Sequence, residues 1–160
     1  MKKLFKISVI FLITFLFLSA CDNKSLYSMK TDTSDEKGVE KIINKLEWKE
    51  NKLGDFELKD KSLEINLEKT PNSSRDENTK ELFINGVNLL VLTDVDEVNY
   101  NGEDLDFSGI DKDFANEILT IKYDKKIEDL RKSEEAFNEV NKKLKNEKFE
   151  TGAVHYEMMK

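Results

Sequence analysis

Apolar and polar residues alternate along the chain with two different periods, and these periods predict the elements of one folded unit. Apolar residues recur at i, i+3, i+4 and i+7 from Val39 to Leu46, which predicts a short helix with one apolar face. Strict alternation over Phe56–Leu58 and again over Leu63–Leu67 predicts two strands that pair across Asp60–Lys61. Asn51–Gly54 is expected to form a turn before the first of these strands.

The second half of the chain contains a long apolar stretch. Asp76–Leu92 predicts a helix packed on the sheet, in which Gly86 is expected to allow a close approach between elements. Glu97–Tyr100 predicts a third strand, and Asp111–Asn146 predicts helix, N-capped by its first residue and broken near Thr120–Asp124. The order of elements predicts an α+β fold, a small two-layer domain with a short antiparallel or mixed sheet packed by helices.

The amino-terminal segment has the layout of a bacterial lipoprotein export signal. Three lysines precede the apolar run Ile7–Leu18, and a cysteine follows shortly after it. Twelve helical residues span about 18 Å, well short of the roughly 30 Å hydrocarbon core, so a permanent transmembrane helix is not expected. Cys21 is the predicted lipid-attachment residue, and the residues predicted to be recognised by the signal peptidase are Leu18, Ser19 and Ala20.

This signal predicts a palmitate-type lipid anchor in the cell membrane, on the extracytoplasmic side. Because Cys21 is the only cysteine, the fold is expected to stand without an internal disulfide. Loss of residues 1–20 removes three lysines and no acid, so the net charge changes from −7 to about −10. Such a surface is repelled by nucleic acid, which excludes nucleic-acid binding. The Lys, Asn, Asp, Glu and Ile bias suits a low-GC Gram-positive source.

The domain plan that follows is a signal peptide, a tether, one α+β domain and a tail, at residues 1–20, 21–37, 38–147 and 148–160. Asp22–Lys37 lacks an apolar period and is rich in Ser, Thr, Asp, Asn and Lys, which predicts a flexible tether. Leu26, Tyr27 and Met29 are isolated apolar positions within it, and no structural role is expected for them.

The predicted domain resembles a small family that carries only a domain-of-unknown-function label, numbered 4825. The likeness covers roughly Gly38–Leu144, and its segments are Gly38–Leu46, Phe56–Leu58, Leu63–Leu67 and, most specifically, Leu90–Gly102. Members of that family occur in Gram-positive lipoproteins and outside the membrane in BlaR-type metallopeptidase sensors. The resemblance therefore implies the fold and an extracytoplasmic location, and it brings no catalytic residues with it.

Candidate chemistry is sparse, and each candidate has a structural alternative. Asp104, Asp106 and Ser108, followed by glycine, match the first half of a calcium loop, but Ala115 stands where the bidentate glutamate belongs. Turn chemistry with a helix N-cap explains the same acidic stretch. His155 is the only histidine, so zinc or Cys-His chemistry lacks its parts, and no cofactor is predicted.

Three further features allow either a binding surface or ordinary packing. One is the apolar set Leu82, Phe83, Val87, Leu89 and Leu90, which would line a groove or fill the core. Trp48 and Tyr100 would mark a binding surface or pack at the edge of the core. The stripe from Ile127 to Leu144, interrupted at Ser133 and Glu134, would form a partner-docking coiled coil or pack on the sheet.

The sequence leaves three hypotheses about function. The leading one is a non-catalytic binding or sensing module, anchored to the membrane by lipid and facing a membrane-protein or envelope partner. A second is an envelope hydrolase that uses carboxylate or hydroxyl groups, which predicts a cleft with convergent acids and a perturbed pKa. A third is a structural or immunity-type lipoprotein, which predicts no cleft.

Overall fold

The structure is a computed structural model, and it describes residues 25–69, 74–103, 105 and 107–148. The described elements are a 3-10 turn at Leu26–Met29, then α1 (Glu36–Lys45), β1 (Asn51–Lys59), β2 (Ser62–Lys69), α2 (Arg75–Leu92), β3 (Glu97–Asn101), β4 (Gly109–Asp111), α3 (Lys112–Tyr123), α4 (Ile127–Lys132) and α5 (Glu134–Asn146). The α+β fold is confirmed, with one mixed sheet packed by helices. No helix within these residues is long and apolar enough to cross a membrane.

The sheet has the strand order β1-β2-β3-β4. β1 and β2 form the predicted antiparallel hairpin, whose turn places Asp60 at a φ of 53°. β2 and β3 are parallel because α2 carries the chain back between them, as a parallel connection requires. β4 then pairs antiparallel with β3. The alternating residues Leu63, Ile65 and Leu67 are buried, so β2 has one face in the core.

Helix α2 is the centre of the molecule. It contacts β3 and β4 of the sheet and the helices α1, α4 and α5. Every residue from Leu82 to Leu92 is buried. Gly86 faces β4, where an added Cβ would lie 2.3 Å from Cγ2 of Ile110. The close approach predicted for Gly86 is confirmed.

The carboxyl-terminal helices begin and end at residues with clear capping roles. Asp111 caps α3 as predicted, and its carboxylate accepts a hydrogen bond from the backbone N–H of Phe114. Asp124, in the left-handed conformation, ends α3 within the predicted break. Ser133 ends α4 and also caps α5 through the N–H of Ala136. The predicted stretch of helix is therefore three helices.

The predicted flexible tether is wrong for residues 25–37. All three apolar residues of the 3-10 turn pack against the core. The hydroxyl of Tyr27 donates to the carbonyl of Arg131 at 2.5 Å, and the N–H of Thr31 donates to the carbonyl of Leu92 at 2.8 Å. The sequence pattern did not predict this packing, because a single 3-10 turn of four residues is too short to show a repeat of apolar positions. Residues 21–24 lie outside the described range.

The predicted turn at Asn51–Gly54 is also wrong, because β1 begins at Asn51. The register of β1 against β2 shifts between Leu53 and Phe56, and Gly54 lies at this bulge. A Cβ on Gly54 would approach the carbonyl oxygen of Asn66 to 2.8 Å. Glycine here marks a bulge within a strand and not a turn before it.

Candidate functional site

A groove of about 500 Å³ runs along α2. One wall is the connection between α1 and β1, from Lys45 to Glu50, and the other comes from Lys80 and Lys145. The apolar part of its lining consists of Leu26, Leu46 and Ile84. Size and mixed lining are those of a site for a small molecule or a short peptide.

One face of α2 forms the floor of the groove. Its polar residues recur at intervals of three or four and are Glu77, Glu81, Asn85 and Asn88. A rise of 1.5 Å per residue separates the first and last of them by about 16 Å. Carboxylates therefore occupy the end of the groove near the start of α2, and amides occupy the other end.

Glu81 holds the wall of the groove in place. Its carboxylate accepts hydrogen bonds from the backbone N–H groups of Lys49 at 2.5 Å and of Glu50 at 2.9 Å. The side-chain amide of Asn51 donates to the same carboxylate at 3.0 Å, and that of Asn78 donates in turn to Asn51 at 2.7 Å. With three donors, the Glu81 carboxylate is bound mainly to its own chain.

Asn88 lies in the groove with a polar atom that has no partner. The residue is 3% exposed, and no described group forms a hydrogen bond to its buried Oδ1. Asn85, one turn earlier, uses its amide to donate to the carbonyl of Glu47 at 2.9 Å. Leaving such a buried oxygen unsatisfied costs about 1–3 kcal/mol. Among the described residues, four others also have a buried side-chain oxygen without a partner, and Asn88 is the one that lines the groove; the others are Asn78, Thr79, Tyr123 and Asn141.

An ion pair joins the two walls across the groove. Nζ of Lys145 lies 3.0 Å from Oε1 of Glu47, and Nζ of Lys49 lies 2.8 Å from its Oε2. Hydrogen bonds from Lys49 and then from Lys145 lower the pKa of Glu47 to about 2. On the same side as Lys145, Lys80 donates to the backbone carbonyls of Lys145 and Glu147, each at 2.7 Å. These three lysines are thus held by groups of the protein itself.

The carboxylate of Glu50, unlike those of Glu47 and Glu81, is not bound by groups of the described chain. It forms no hydrogen bond or ion pair with the described residues. Partial burial raises the pKa of Glu50, and repulsion from Glu77 and Glu81 raises it further. The end of the groove near the start of α2 therefore carries negative charge that its nearest cations do not fully neutralise.

Lys45 supplies the opposite charge at the other end of the groove. It also borders a neighbouring cleft lined by Ser28–Thr31, the segment that is hydrogen-bonded to the end of α2. Within the described part of the chain, its ammonium group has no hydrogen-bond or ion-pair partner. The groove is thus polarised, with carboxylates at one end and an ammonium group at the other.

Most of the residues predicted from the sequence as site residues lie outside the described ranges. These are Leu18, Ser19, Ala20, Cys21, Asp104 and Asp106; His155, for which no site role was predicted, also lies outside the described ranges. Ser108 is described, is exposed, and uses its carbonyl to accept from the N–H of Tyr100 at 2.8 Å. The calcium site stays a prediction. Among the described residues, no cluster of three His, Cys, Asp or Glu side chains could hold a metal ion.

The nearby acids that the structure does describe are bound to their own chain. Asp94 accepts from the N–H of Thr33 at 2.5 Å and pairs with Lys61. Asp96 pairs with Lys112 at 2.5 Å. Asp111 has the capping role that the structural interpretation gives it, and the ion pairs of Asp94 and Asp96 do not test cation binding at Asp104 and Asp106.

The three features that allowed a binding surface are packed within the fold, but the predicted packing of the Ile127–Leu144 stripe on the sheet is wrong, because α5 packs mainly against α4 and α2. The apolar set Leu82, Phe83, Val87, Leu89 and Leu90 is core. Tyr100 is buried and donates to the carbonyl of Leu82 at 2.8 Å, and half-buried Trp48 donates to that of Ile43 at 3.0 Å. Phe137, Val140 and Leu144 turn the stripe of α5 into the core.

Sequence reasoning missed the groove. The available signal was the spacing of Glu77, Glu81, Asn85 and Asn88, which continues one polar face through an otherwise apolar helix. From the sequence alone, Asn85 and Asn88 favour a helix over a strand and indicate nothing more. Their meaning depends on Glu50 and the rest of the α1–β1 connection, which the fold brings alongside α2.

Comparison with known proteins adds no relative to this picture. No protein-family model, curated protein or solved structure matches the chain.

Proposed function

We propose that the chain is a membrane-anchored bacterial lipoprotein that acts as a non-catalytic binding or sensing module on the outer face of the cytoplasmic membrane. The groove along α2 is its ligand site. The motif Leu18–Cys21 and the resemblance to the domain-of-unknown-function family support the placement. The observation that carries the binding role is the unpaired Oδ1 of Asn88, a residue that lines the groove, because a turn of its side-chain amide would let a bound ligand supply the partner that the protein lacks.

The anchor is tested by feeding cells a labelled fatty acid and comparing the chain with its Cys21→Ser variant. The proposal expects label and membrane fractionation for the unmodified chain and neither for the variant. The binding role is tested by crosslinking intact cells and recovering the chain with its partners. Failure to recover a specific partner, together with turnover of an envelope substrate by the purified chain, would lead us to abandon the proposal.

A second candidate function is an envelope hydrolase, and one observation favours it. Burial and the neighbouring Glu77 and Glu81 raise the pKa of Glu50, and neighbouring carboxyl groups whose pKa values are pushed apart are the arrangement used in acid-base catalysis. This alternative predicts that the purified chain releases fragments from isolated cell walls and that Glu50→Gln abolishes the release. The binding module predicts no release from either protein. A purely structural or immunity-type lipoprotein does not call for a groove with an unsatisfied amide.

A further inference from the structure

The groove is built to accept a ligand with charge at both ends. Glu50 and Glu77 lie at the end near the start of α2, and Lys45 lies at the other. Glu81 has its carboxylate filled by three donors, so it contributes negative potential there but little free hydrogen-bonding capacity. A cation that enters this end would relieve the repulsion that Glu50 feels from its two neighbours.

The lysines that line the groove do not cancel the repulsion of Glu50 by Glu77 and Glu81. Lys80 is bound to two backbone carbonyls, and Lys145 is paired with Glu47. Lys49 is also paired with Glu47, and it lowers the pKa of Glu50 by less than burial, Glu77 and Glu81 raise it. The ligand must therefore bring its own positive charge.

The residues on the floor of the groove indicate which chemical group lies between the two charged ends of the ligand. The Oδ1 of Asn88 has no hydrogen-bond partner among the described residues, and a half-turn of the side-chain amide presents either a donor or an acceptor to the groove. A peptide group offers both an N–H and a C=O. The polar face from Glu77 to Asn88 is about 16 Å long, which matches about five residues of extended chain at roughly 3.3 Å each.

We propose that the groove binds an extended peptide of about five residues, with a lysine or arginine side chain at Glu50 and Glu77, a backbone amide at Asn88 and a carboxylate at Lys45. This inference deepens the proposed function, on which it rests, by naming the class of ligand. The Lys145–Glu47 ion pair crosses the path of such a peptide and lies between exposed groups, so it can open at little cost.

The test is an NMR titration of the isotope-labelled full chain in mild detergent with two matched pentapeptides. The first is N-acetyl-Lys-Ala-Ala-Ala-Ala with a free carboxylate, and the second has norleucine in place of lysine, which keeps the shape and removes the cation. We expect the lysine peptide to shift the side-chain amide signal of Asn88 and the backbone signals of Lys49 and Glu50. The norleucine peptide is expected to bind about tenfold more weakly.

Two double variants with the same change of net charge separate a site from general attraction to an acidic protein. Glu50→Gln with Glu77→Gln is expected to weaken binding of the lysine peptide about tenfold. Glu57→Gln with Glu68→Gln removes two carboxylates from β1 and β2, outside the groove, and is expected to change affinity less than about twofold. The signals of Asn85 report whether each variant keeps the groove intact.

The outcomes distinguish this inference from the function on which it rests. Equal binding of both peptides at Asn88 would overturn the cationic ligand and leave the groove as the binding site. Absence of shifts with either peptide, while crosslinking in cells recovers a specific partner, would overturn the peptide groove and leave the binding module. Equal weakening by the two double variants would reduce the effect to nonspecific attraction and overturn the site.

Discussion

Lys145 reaches across the groove to Glu47, with 3.0 Å between Nζ and Oε1, and so ties the end of α5 to the segment that follows α1. The same Glu47 carboxylate also binds Lys49 on its own wall. A single carboxylate thus sets the spacing of the two walls while remaining about half exposed. Exposed pairs of this kind contribute little to stability, so their value here is in shaping the groove.

Glu47→Gln is expected to lower stability at pH 7 by less than about 1 kcal/mol, because solvent screens the exposed pairs that it removes. The folded-state pKa of Glu47, about 2, lies below the ordinary value of 4.5, so its stabilisation is present above pH 4.5 and is lost as the pH falls towards 2. Urea unfolding of both proteins between pH 2 and 7 checks this. A difference that stays constant down to pH 2 would show that the charge of Glu47 is not its cause.

Glu50→Gln is expected to raise the stability of the fold at pH 7, whereas Glu47→Gln lowers it. Since folding raises the pKa of Glu50, ionisation of this carboxyl opposes folding, and the penalty grows as the pH rises above 4.5. The variant should therefore unfold at a slightly higher temperature than the parent at pH 7 and at the same temperature at pH 3. Thermal unfolding followed by circular dichroism measures both. Lower stability of the variant at pH 7 would mean that Glu50 has a cationic partner in solution.

Glu81→Ala is expected to lower the free energy of unfolding by about 2–3 kcal/mol, because it leaves the N–H groups of Lys49 and Glu50 and the amide of Asn51 without their acceptor. The control is Glu117→Ala on an exposed position of α3, which should change stability by less than about 0.5 kcal/mol. Urea unfolding measures both, and equal effects would contradict the role given to Glu81.

Gly86→Ala is expected to destabilise the fold by about 1–2 kcal/mol, although alanine is the better helix former by about 1 kcal/mol. The added methyl would lie 2.3 Å from Cγ2 of Ile110, and the overpacking outweighs the gain in helix propensity. Combining Gly86→Ala with Ile110→Val, which removes part of the opposing side chain, should recover some of the loss. If Gly86→Ala alone is stabilising, α2 and β4 are not in close contact.

Asn88→Leu is expected to raise the free energy of unfolding by about 1 kcal/mol, because an apolar side chain of similar size removes a buried polar atom that has no partner. The same change should remove the amide on which ligand binding depends. Asn78→Leu is the contrasting variant: the Oδ1 of Asn78 also lacks a partner, but its Nδ2 donates to Asn51 at 2.7 Å, so losing this bond should make the variant destabilising. Chemical unfolding of the two variants side by side gives the comparison. Destabilisation by Asn88→Leu would indicate that Asn88 has a structural partner.

The elements that were predicted correctly are those whose pattern is local. Val39–Leu46 and the alternation over Leu63–Leu67 each repeat an apolar residue often enough to give a period, and the structure has a helix and a strand there. β4 was missed because Gly109–Asp111 is too short to show alternation. The 3-10 turn at Leu26–Met29 was not predicted, because it is also too short to show a repeating pattern.

The groove could not be predicted in the same way because its parts are far apart in the chain. Glu50, Asn88 and Lys145 come from the α1–β1 connection, α2 and α5, and only packing brings them to one surface. The sequence nevertheless contained one sign of the groove: burying Asn85 and Asn88 in a nearly all-apolar helix is unfavourable unless the fold gives them polar partners. Polar residues that recur at helical spacing in an otherwise apolar helix therefore indicate a polar surface on that helix, even when their partners cannot be identified from the sequence.

The most direct measurement is site-specific photo-crosslinking from the groove in living cells. A photoreactive residue replaces Lys49, an exposed side chain on the wall of the groove, or Lys132, in the last turn of α4 and outside it. Our account predicts a discrete crosslinked species from position 49 in the membrane fraction, absent from position 132 and lost when Asn88→Leu is added. Identical products from both positions, or none from position 49 in a chain that is present and folded, would contradict it.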